Sequence, residues 1–271
     1  MEPGSGLEVE FAQLSDPGRV RDHNEDYLGH YAPATPAQAR SHGWMFAVAD
    51  GVGGHDRGEV ASRVAIETLA AGFPAAVAGE SPASLLERLV QSANLQVYET
   101  GRDSAPGGLP MATTIVACAL RYDRAAIAHV GDSRCYLVRR GQASLLTRDH
   151  TVVNDQVRLG ILSAKEAASS ERRHLLSRSL GAEMLVGVET SEHQVYADDV
   201  LILCSDGLHG SVEGADLAKA LAQAPDLNHV AASLVSLAKQ RDGSDNISVQ
   251  IIRVRAVERV GMYRGRPYKL R

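Results

Sequence analysis

Four aspartates occupy the same kind of place in this chain: Asp50, Asp132, Asp206 and Asp245 each stand at the end of an apolar, strand-like run. The alternation from Trp44 in WMFAVADGVGG ends on Asp50 and Gly51, and the run from Ala125 to Val130 in AAIAHVGDSR ends on Gly131 and Asp132. In VLILCSDGLHG the apolar residues from Val200 lead to Asp206 and Gly207, whereas Asp245 in GSDNISVQIIRV precedes its strand. An ionised carboxylate drawn out of water costs on the order of several kcal/mol unless a cation pairs with it. One Asp-Gly pair reads as an ordinary turn whose side chain bonds its own backbone. Four acids at strand ends read as a convergence: if the strands are neighbours and that of Asp245 runs antiparallel to the others, the carboxylates meet at one edge of a sheet system.

Carboxylates together with a backbone carbonyl freed at Gly51 are hard oxygen ligands, suited to Mg²⁺ or Mn²⁺ and unsuited to zinc or copper. A shared carboxylate can bridge two such ions about 3.5 to 4 Å apart and hold a hydroxide for in-line displacement, chemistry that hydrolyses phosphate esters. A phosphate also needs a grip. The loop VRDHNEDYL offers Arg21, whose planar guanidinium can hold two phosphate oxygens at once, beside Glu25 and Asp26. Alone, RDHNED is a solvated charge run; before a strand, in a chain with four strand-end acids, it favours function.

The elements that must position these residues follow from periodicity. GLEVEFAQLSD alternates as a half-buried strand, followed by a short strand from Tyr27, a Pro/Ala/Gln/Ser loop and the strand Trp44 to Asp50. Two helices come next, one over about 59–71 with Val60, Val64 and Leu69 on a face. The other is started by Ser81 as N-cap and Pro82, with Leu86, Val90, Ala93 and Val97 at helical spacing. Strands are expected in MATTIVACALRY, AAIAHVGD and CYLVRR, again from Val186 and Val200, and from Ile247 to Val254. Helices are expected near 213–224 and 227–240, the second with a Val230, Leu234, Ala238 stripe. Residues 148–184 are polar and carry a capping box, Ser163 with Glu166, so they read as an insertion over the site. The order of strands and paired helices predicts α+β layers. The arginine-rich end, residues 255–271, reads as a solvated or disordered tail.

At 271 residues, 44% hydrophobic and 23% charged, the chain has material for one substantial core and one domain. A formal charge of -5 argues against a nucleic-acid binder. Cys118, Cys135 and Cys204 lie in apolar runs without CxxC spacing and read as reduced core residues of a cytosolic protein. No apolar run approaches the roughly 18 residues of a membrane span, and MEPGSGLEVEF lacks a signal-peptide pattern, so a cytoplasmic location is expected.

From about Leu7 to Val254 the chain resembles the bacterial metal-dependent serine/threonine protein phosphatases of type 2C. The motifs fall in order: VRDHNED, ADGVGG, ATT at 112–114, VGDSR, DHT at 149–151, LLSRSLG, LCSDGL and SDNISV. The resemblance implies a central antiparallel β-sandwich flanked by pairs of antiparallel helices, with a small flap at about 148–184. It implies two core Mn²⁺ or Mg²⁺ ions, bridged by Asp50, bound by the Gly51 carbonyl and completed by Asp206 and Asp245. Asp132, with Asp206, would hold a weaker third ion. Arg21 would bind substrate phosphate, Glu25 and Asp26 would orient the attacking water, and Thr113 and Thr114 would line the site. Expected partners are phosphorylated proteins, with a serine/threonine kinase and its substrates among them, and the protein itself is expected to be a monomer. Val52 replaces the DGHG histidine of many eukaryotic members, a proposed general acid; His55 is near in sequence, and a metal-bound water is the expected donor instead.

Rival readings fare less well. Cys118 and Arg124 have C-x5-R spacing, but ALRYD between them is a bulky strand and turn unlike a phosphate cradle. DGVGGHD fails the dinucleotide pattern at Asp56. A catalytically silent scaffold would be expected to lack an acid or the arginine, and Arg21, Asp50, Asp206 and Asp245 are all present.

Overall fold

The computed structural model describes residues 6–52, 57–76, 80–104, 111–224, 226–263 and 266–269. In chain order its strands are β1 (Glu8–Asp16), β2 (Asp26–Tyr31), β3 (Trp44–Asp50), β4 (Ile115–Arg121), β5 (Arg124–Val130), β6 (Arg134–Arg139), β7 (Gln142–Leu145), β8 (Glu189–Gln194), β9 (Val200–Cys204), β10 (Ile247–Ala256), β11 (Val260–Tyr263) and β12 (Arg266–Lys269). The α-helices are α1 (Pro36–Ser41), α2 (Gly58–Gly72), α3 (Pro82–Ser104), α4 (Val152–Arg158), α5 (Ala164–Ala168), α6 (Asp206–His209), α7 (Gly214–Gln223) and α8 (Leu227–Arg241).

Two five-stranded sheets form the centre, one ordered β1-β10-β9-β6-β7 and the other β2-β3-β4-β5-β8. Their strand pairs run antiparallel. Period-two alternation decides what each face meets. Along β3, Met45, Ala47 and Ala49 pack with Ile66 and Leu69 of α2 and Leu86 and Val90 of α3, while Phe46 and Val48 join Val116, Cys118, Leu201 and Leu203 between the sheets. On β9, Ile202 and Cys204 face Leu217 of α7 and Val230 and Leu234 of α8. Both faces of these strands are buried, so they read as near-continuous apolar runs. The result is the expected α+β sandwich of four layers, helices outside and sheets within.

Several local expectations hold in detail. Ser81 Oγ accepts the Ser84 N–H at 3.1 Å, Leu86, Val90, Ala93 and Val97 are buried, and the Ser163–Glu166 capping box opens α5. All three cysteines are free and buried.

Others shift. The Pro/Ala/Gln/Ser loop contains α1, because Thr35 caps it by accepting from Gln38 N and Pro36 suits its first turn. The face that α2 buries is Ala61, Ala65, Ile66 and Leu69, leaving Val60 and Val64 at its margin. The strand expected from Val186 begins at Glu189; Val186 and Val188 pack against the core before it. The polar insertion contributes α4 and α5, yet its ends belong to the body, since Leu180 is fully buried in the core and bridges Thr113. Nor is the basic end without structure: β11 pairs antiparallel with β12, and Glu258 meets Arg40 at 3.2 Å. Among the described residues, no helix is long and apolar enough to cross a membrane.

Candidate functional site

Each sheet delivers two of the acids to one end of the sandwich. Asp50 is the last residue of β3 and Asp132 follows β5, which runs in the same direction two strands away. Asp206 follows β9, and Asp245 precedes its antiparallel neighbour β10. The carboxylates feel one another. Burial first, then the charges of Asp26, Asp206, Asp132 and Asp245, push Asp50 well above the ordinary carboxylate range. Burial, with Asp206 next, pushes Asp132 up to about 8. Asp26, facing Asp50 across the β2–β3 ladder, is pushed by burial up to about 7. Asp206 is raised by burial and by Asp245, and its side chain lies within hydrogen-bonding reach of Asp50.

The backbone around each acid is fixed by groups that carry no charge. Asp50 N–H donates to Thr114 Oγ1 at 3.1 Å, while Thr113 Oγ1 and Thr114 N–H both donate to the Asp50 carbonyl at 2.8 Å. The threonine pair therefore aims Asp50. Gly51 is needed for close approach, because a Cβ there would lie 2.5 Å from the Gly58 backbone and 2.7 Å from the Glu25 carbonyl oxygen. Gly207 serves similarly at the other sheet: a Cβ there would lie 2.1 Å from the Asn246 carbonyl oxygen, where β9 leaves and β10 begins. Asp206 does not open a turn; it begins the short helix α6. His209 of that helix, held neutral by burial at about 4, bonds the Asp132 carbonyl oxygen through Nε2 at 2.9 Å.

Arg21 lies at the rim, with Nη2 donating to Asp245 Oδ2 at 2.8 Å and the charges of Glu25 and Asp206 also acting on it. Its loop is pinned by Asn246, a residue the spacing of acids did not single out. Asn246 Nδ2 donates to the Pro17 and His23 carbonyls, both at 3.0 Å, and its Oδ1 accepts the Glu25 N–H at 2.8 Å. Ser205 Oγ donates to Asp26 Oδ2 at 2.8 Å. Arg134, the arginine of GDSR, is taken by Asp149 through two bonds of 2.9 and 2.7 Å. The signals for Asn246 and Asp149 were present in SDNISV and DHT, but a polar side chain that braces a backbone has no distinctive spacing. His174 of the insertion was also missed; its Nδ1 is 3.9 Å from Asp206 Oδ2. Val52, half-buried with its N–H on the Ala112 carbonyl, has no side-chain proton to donate, and His55 lies outside the described residues.

The edge opens on a cavity of about 620 Å³ lined by Asp132, Asp206 and Asp245 on one side and by Val157, Ala164 and Arg173 of the insertion on the other. Its donor set fits hard divalent cations. The acids outnumber the cations beside them, burial and repulsion force protons onto them, and Asp26 Oδ1 is buried without a hydrogen-bond partner.

Comparison with known proteins is consistent with this site. The family model for Protein phosphatase 2C matches residues 19–248. A serine/threonine phosphatase stp of Listeria innocua is 34% identical over 257 residues, covering 93% of this chain and 96% of its own. A serine/threonine phosphatase of S. agalactiae superposes with a TM-score of 0.81 at 33% identity, over 91% of this chain and 100% of the other. The catalytic domain of the serine/threonine protein phosphatase PstP, in complex with two manganese ions, superposes with a TM-score of 0.75 at 32% identity, over 92% and 99%.

Proposed function

The chain belongs to the protein phosphatase 2C family and is a metal-dependent protein-serine/threonine phosphatase; on that footing we propose which residues carry the reaction. Asp50, the Gly51 carbonyl, Asp206 and Asp245 hold two core divalent ions, Mn²⁺ or Mg²⁺, and Asp132 with Asp206 holds a weaker third. Such ions supply Lewis-acid polarisation of the phosphoryl group and ease deprotonation of the attacking water. Arg21 grips the substrate phosphate from the rim, exchanging its bond to Asp245 for phosphate oxygens. Glu25 and Asp26 accept from and orient the attacking water, Asp26 being fixed for this by Ser205. Thr113 and Thr114 hold Asp50 in line.

The observation that carries this reading is the gathering of Asp26, Asp50, Asp132, Asp206 and Asp245 into one mutually repelling group at the shared edge of two sheets. Residues 7–254 form the phosphatase domain, with the flap at about 148–184 and a basic C-terminal segment at 255–271. The protein acts as a cytoplasmic monomer on phosphorylated proteins, in opposition to a serine/threonine kinase.

The test is release of phosphate from a phosphothreonine peptide with Mn²⁺, using Asp50→Asn as control. Turnover is expected to fall by about a thousandfold or more in the variant. Wild-type turnover no greater than that control across several metals favours a catalytically silent scaffold.

A further inference from the structure

A second group of metal-ligating side chains lies beside the acid edge and outside it. His129 is in β5, Glu189 begins β8 directly opposite it in the ladder, and His150 sits in the segment between β7 and α4. Among the described residues, these three form the set of His, Cys, Asp or Glu whose ligand atoms all come within 4.8 Å of one another. Their side chains come from three separate stretches of chain. Both imidazoles are almost wholly buried, and burial keeps them neutral, His150 down to about 4. Neutral imidazole is the form that binds a metal.

The hydrogen bonds fix one tautomer. Gly131 N–H donates to His150 Nδ1 at 3.2 Å, so His150 Nε2 carries the ring proton and faces Glu189 Oε2 at 3.3 Å. That separation is long beside the about 2.7 to 2.9 Å of an ordinary charge-assisted bond. It matches the edge, about 3.3 Å, between two ligands of a tetrahedral ion bonded at about 2.0 to 2.1 Å.

We propose that His129, His150 and Glu189 form a second cation site, taking a borderline ion such as Zn²⁺ or Co²⁺ in place of the proton between His150 and Glu189. The two-nitrogen, one-carboxylate donor set is chemically distinct from the all-oxygen acid edge and selects a different ion. The rings stack 4.7 Å apart with planes 14° from parallel, so one ring tilts on binding. Arg148, whose Nη2 is 2.6 Å from Glu189 Oε2, competes with the ion and swings into solvent when it binds. Partly exposed Glu189 is the way in. Binding takes the other neutral tautomer: the His150 ring proton moves from Nε2 to Nδ1, freeing Nε2 for the ion, and the Gly131 N–H gives up its bond to Nδ1. The site also spans two regions of the reaction cleft: His150 N–H donates to the Gly131 carbonyl, next to Asp132, and the His150 carbonyl accepts from Ser177 N–H at the far end of the insertion, both at 2.9 Å.

The test is optical. Co²⁺ is titrated into the full chain with Mg²⁺ saturating the acid edge, because tetrahedral Co²⁺ absorbs visible light intensely and six-oxygen Co²⁺ only weakly. One equivalent is expected to produce an intense band in the wild type and in Asp206→Asn, and one equivalent of Zn²⁺ should abolish it. His150→Ala should lose the band. Glu189→Gln, at the partly exposed rim and expected to leave the fold intact, should weaken Co²⁺ binding at least about tenfold, and Arg148→Ala should tighten it. Absence of an intense band in the wild type, or its persistence at full affinity in Glu189→Gln, would overturn the proposal. The readout is independent of turnover, so its failure leaves the phosphatase assignment standing.

Discussion

Stripping divalent ions from this protein should make it less stable as the buffer becomes more alkaline, and the acid edge sets the size of the effect. Folding moves Asp132 from 3.8 to about 8 and Asp26 from 3.8 to about 7. Between those values the folded chain holds protons that the unfolded chain has released, so stability falls as pH rises and the loss is complete above the folded values. Three histidines with lowered values, His129, His150 and His209, work in the opposite sense, costing stability as pH falls below about 6.5. The diagnostic window is therefore pH 6.5 to 8, above the histidines and still below Asp132. At about 1.4 kcal/mol per decade for each group still protonated, Asp132 and Asp26 together lose about 3 kcal/mol across it. For a chain of this size that corresponds to a fall in Tm of about 6 to 12 °C. The assay is thermal unfolding in chelator and in saturating Mn²⁺ at several pH values. The chelated Tm should fall across the window, and the gap between the two conditions should widen, because the ion binds the carboxylates that protons vacate. Asp132→Asn should flatten the chelated slope. A chelated Tm that is level or rising from pH 6.5 to 8 would refute the account of the edge as a cluster of uncompensated carboxylates.

Arg21→Lys should raise KM about tenfold for both a phosphopeptide and a small aryl phosphate, measured by steady-state phosphate release, because an ammonium cannot make the two-pronged grip. Asn246→Ala should cost about 2 to 4 kcal/mol in denaturant unfolding and also lower turnover, since three hydrogen bonds to the loop carrying Arg21 and Glu25 are lost at once. Shortening the insertion between 158 and 175, while leaving the anchored Thr151 and Leu176 ends, should change preference among protein substrates more than hydrolysis of an aryl phosphate; equal losses on both would count against a role in substrate choice.

Much of the architecture was legible because its strands announce themselves. β3, β4 and β9 are buried on both faces and hence apolar throughout, and their ends carry acids that need a stated reason. The antiparallel run of β10 against β9, on which the meeting of Asp245 with Asp206 depends, was a condition the spacing could only pose. Less legible were the contacts made by neutral groups. Asn246, Ser205 and the Thr113–Thr114 pair work through backbone carbonyls and amides supplied by distant segments, and such partners leave no period in the sequence. The insertion misled in another way. Its polar composition read as an insertion lying over the site, while Leu180, fully buried in the core cluster with α3, binds its end to the body. The basic terminal segment was read from charge alone, which says nothing about the β11–β12 ladder formed by its backbone.

Asp50 and Asp132 ride on one leaf of the sandwich, Asp206 and Asp245 on the other, with Phe46, Leu201 and their neighbours packed in the seam. An ion held among them, as proposed above, would thus be a rivet through two plates: it would register any slippage of one plate over the other, and a fragment carrying either plate alone would offer only half a socket. Core residues remote from the acid edge, above all those in the seam, would accordingly set how firmly such ions are gripped.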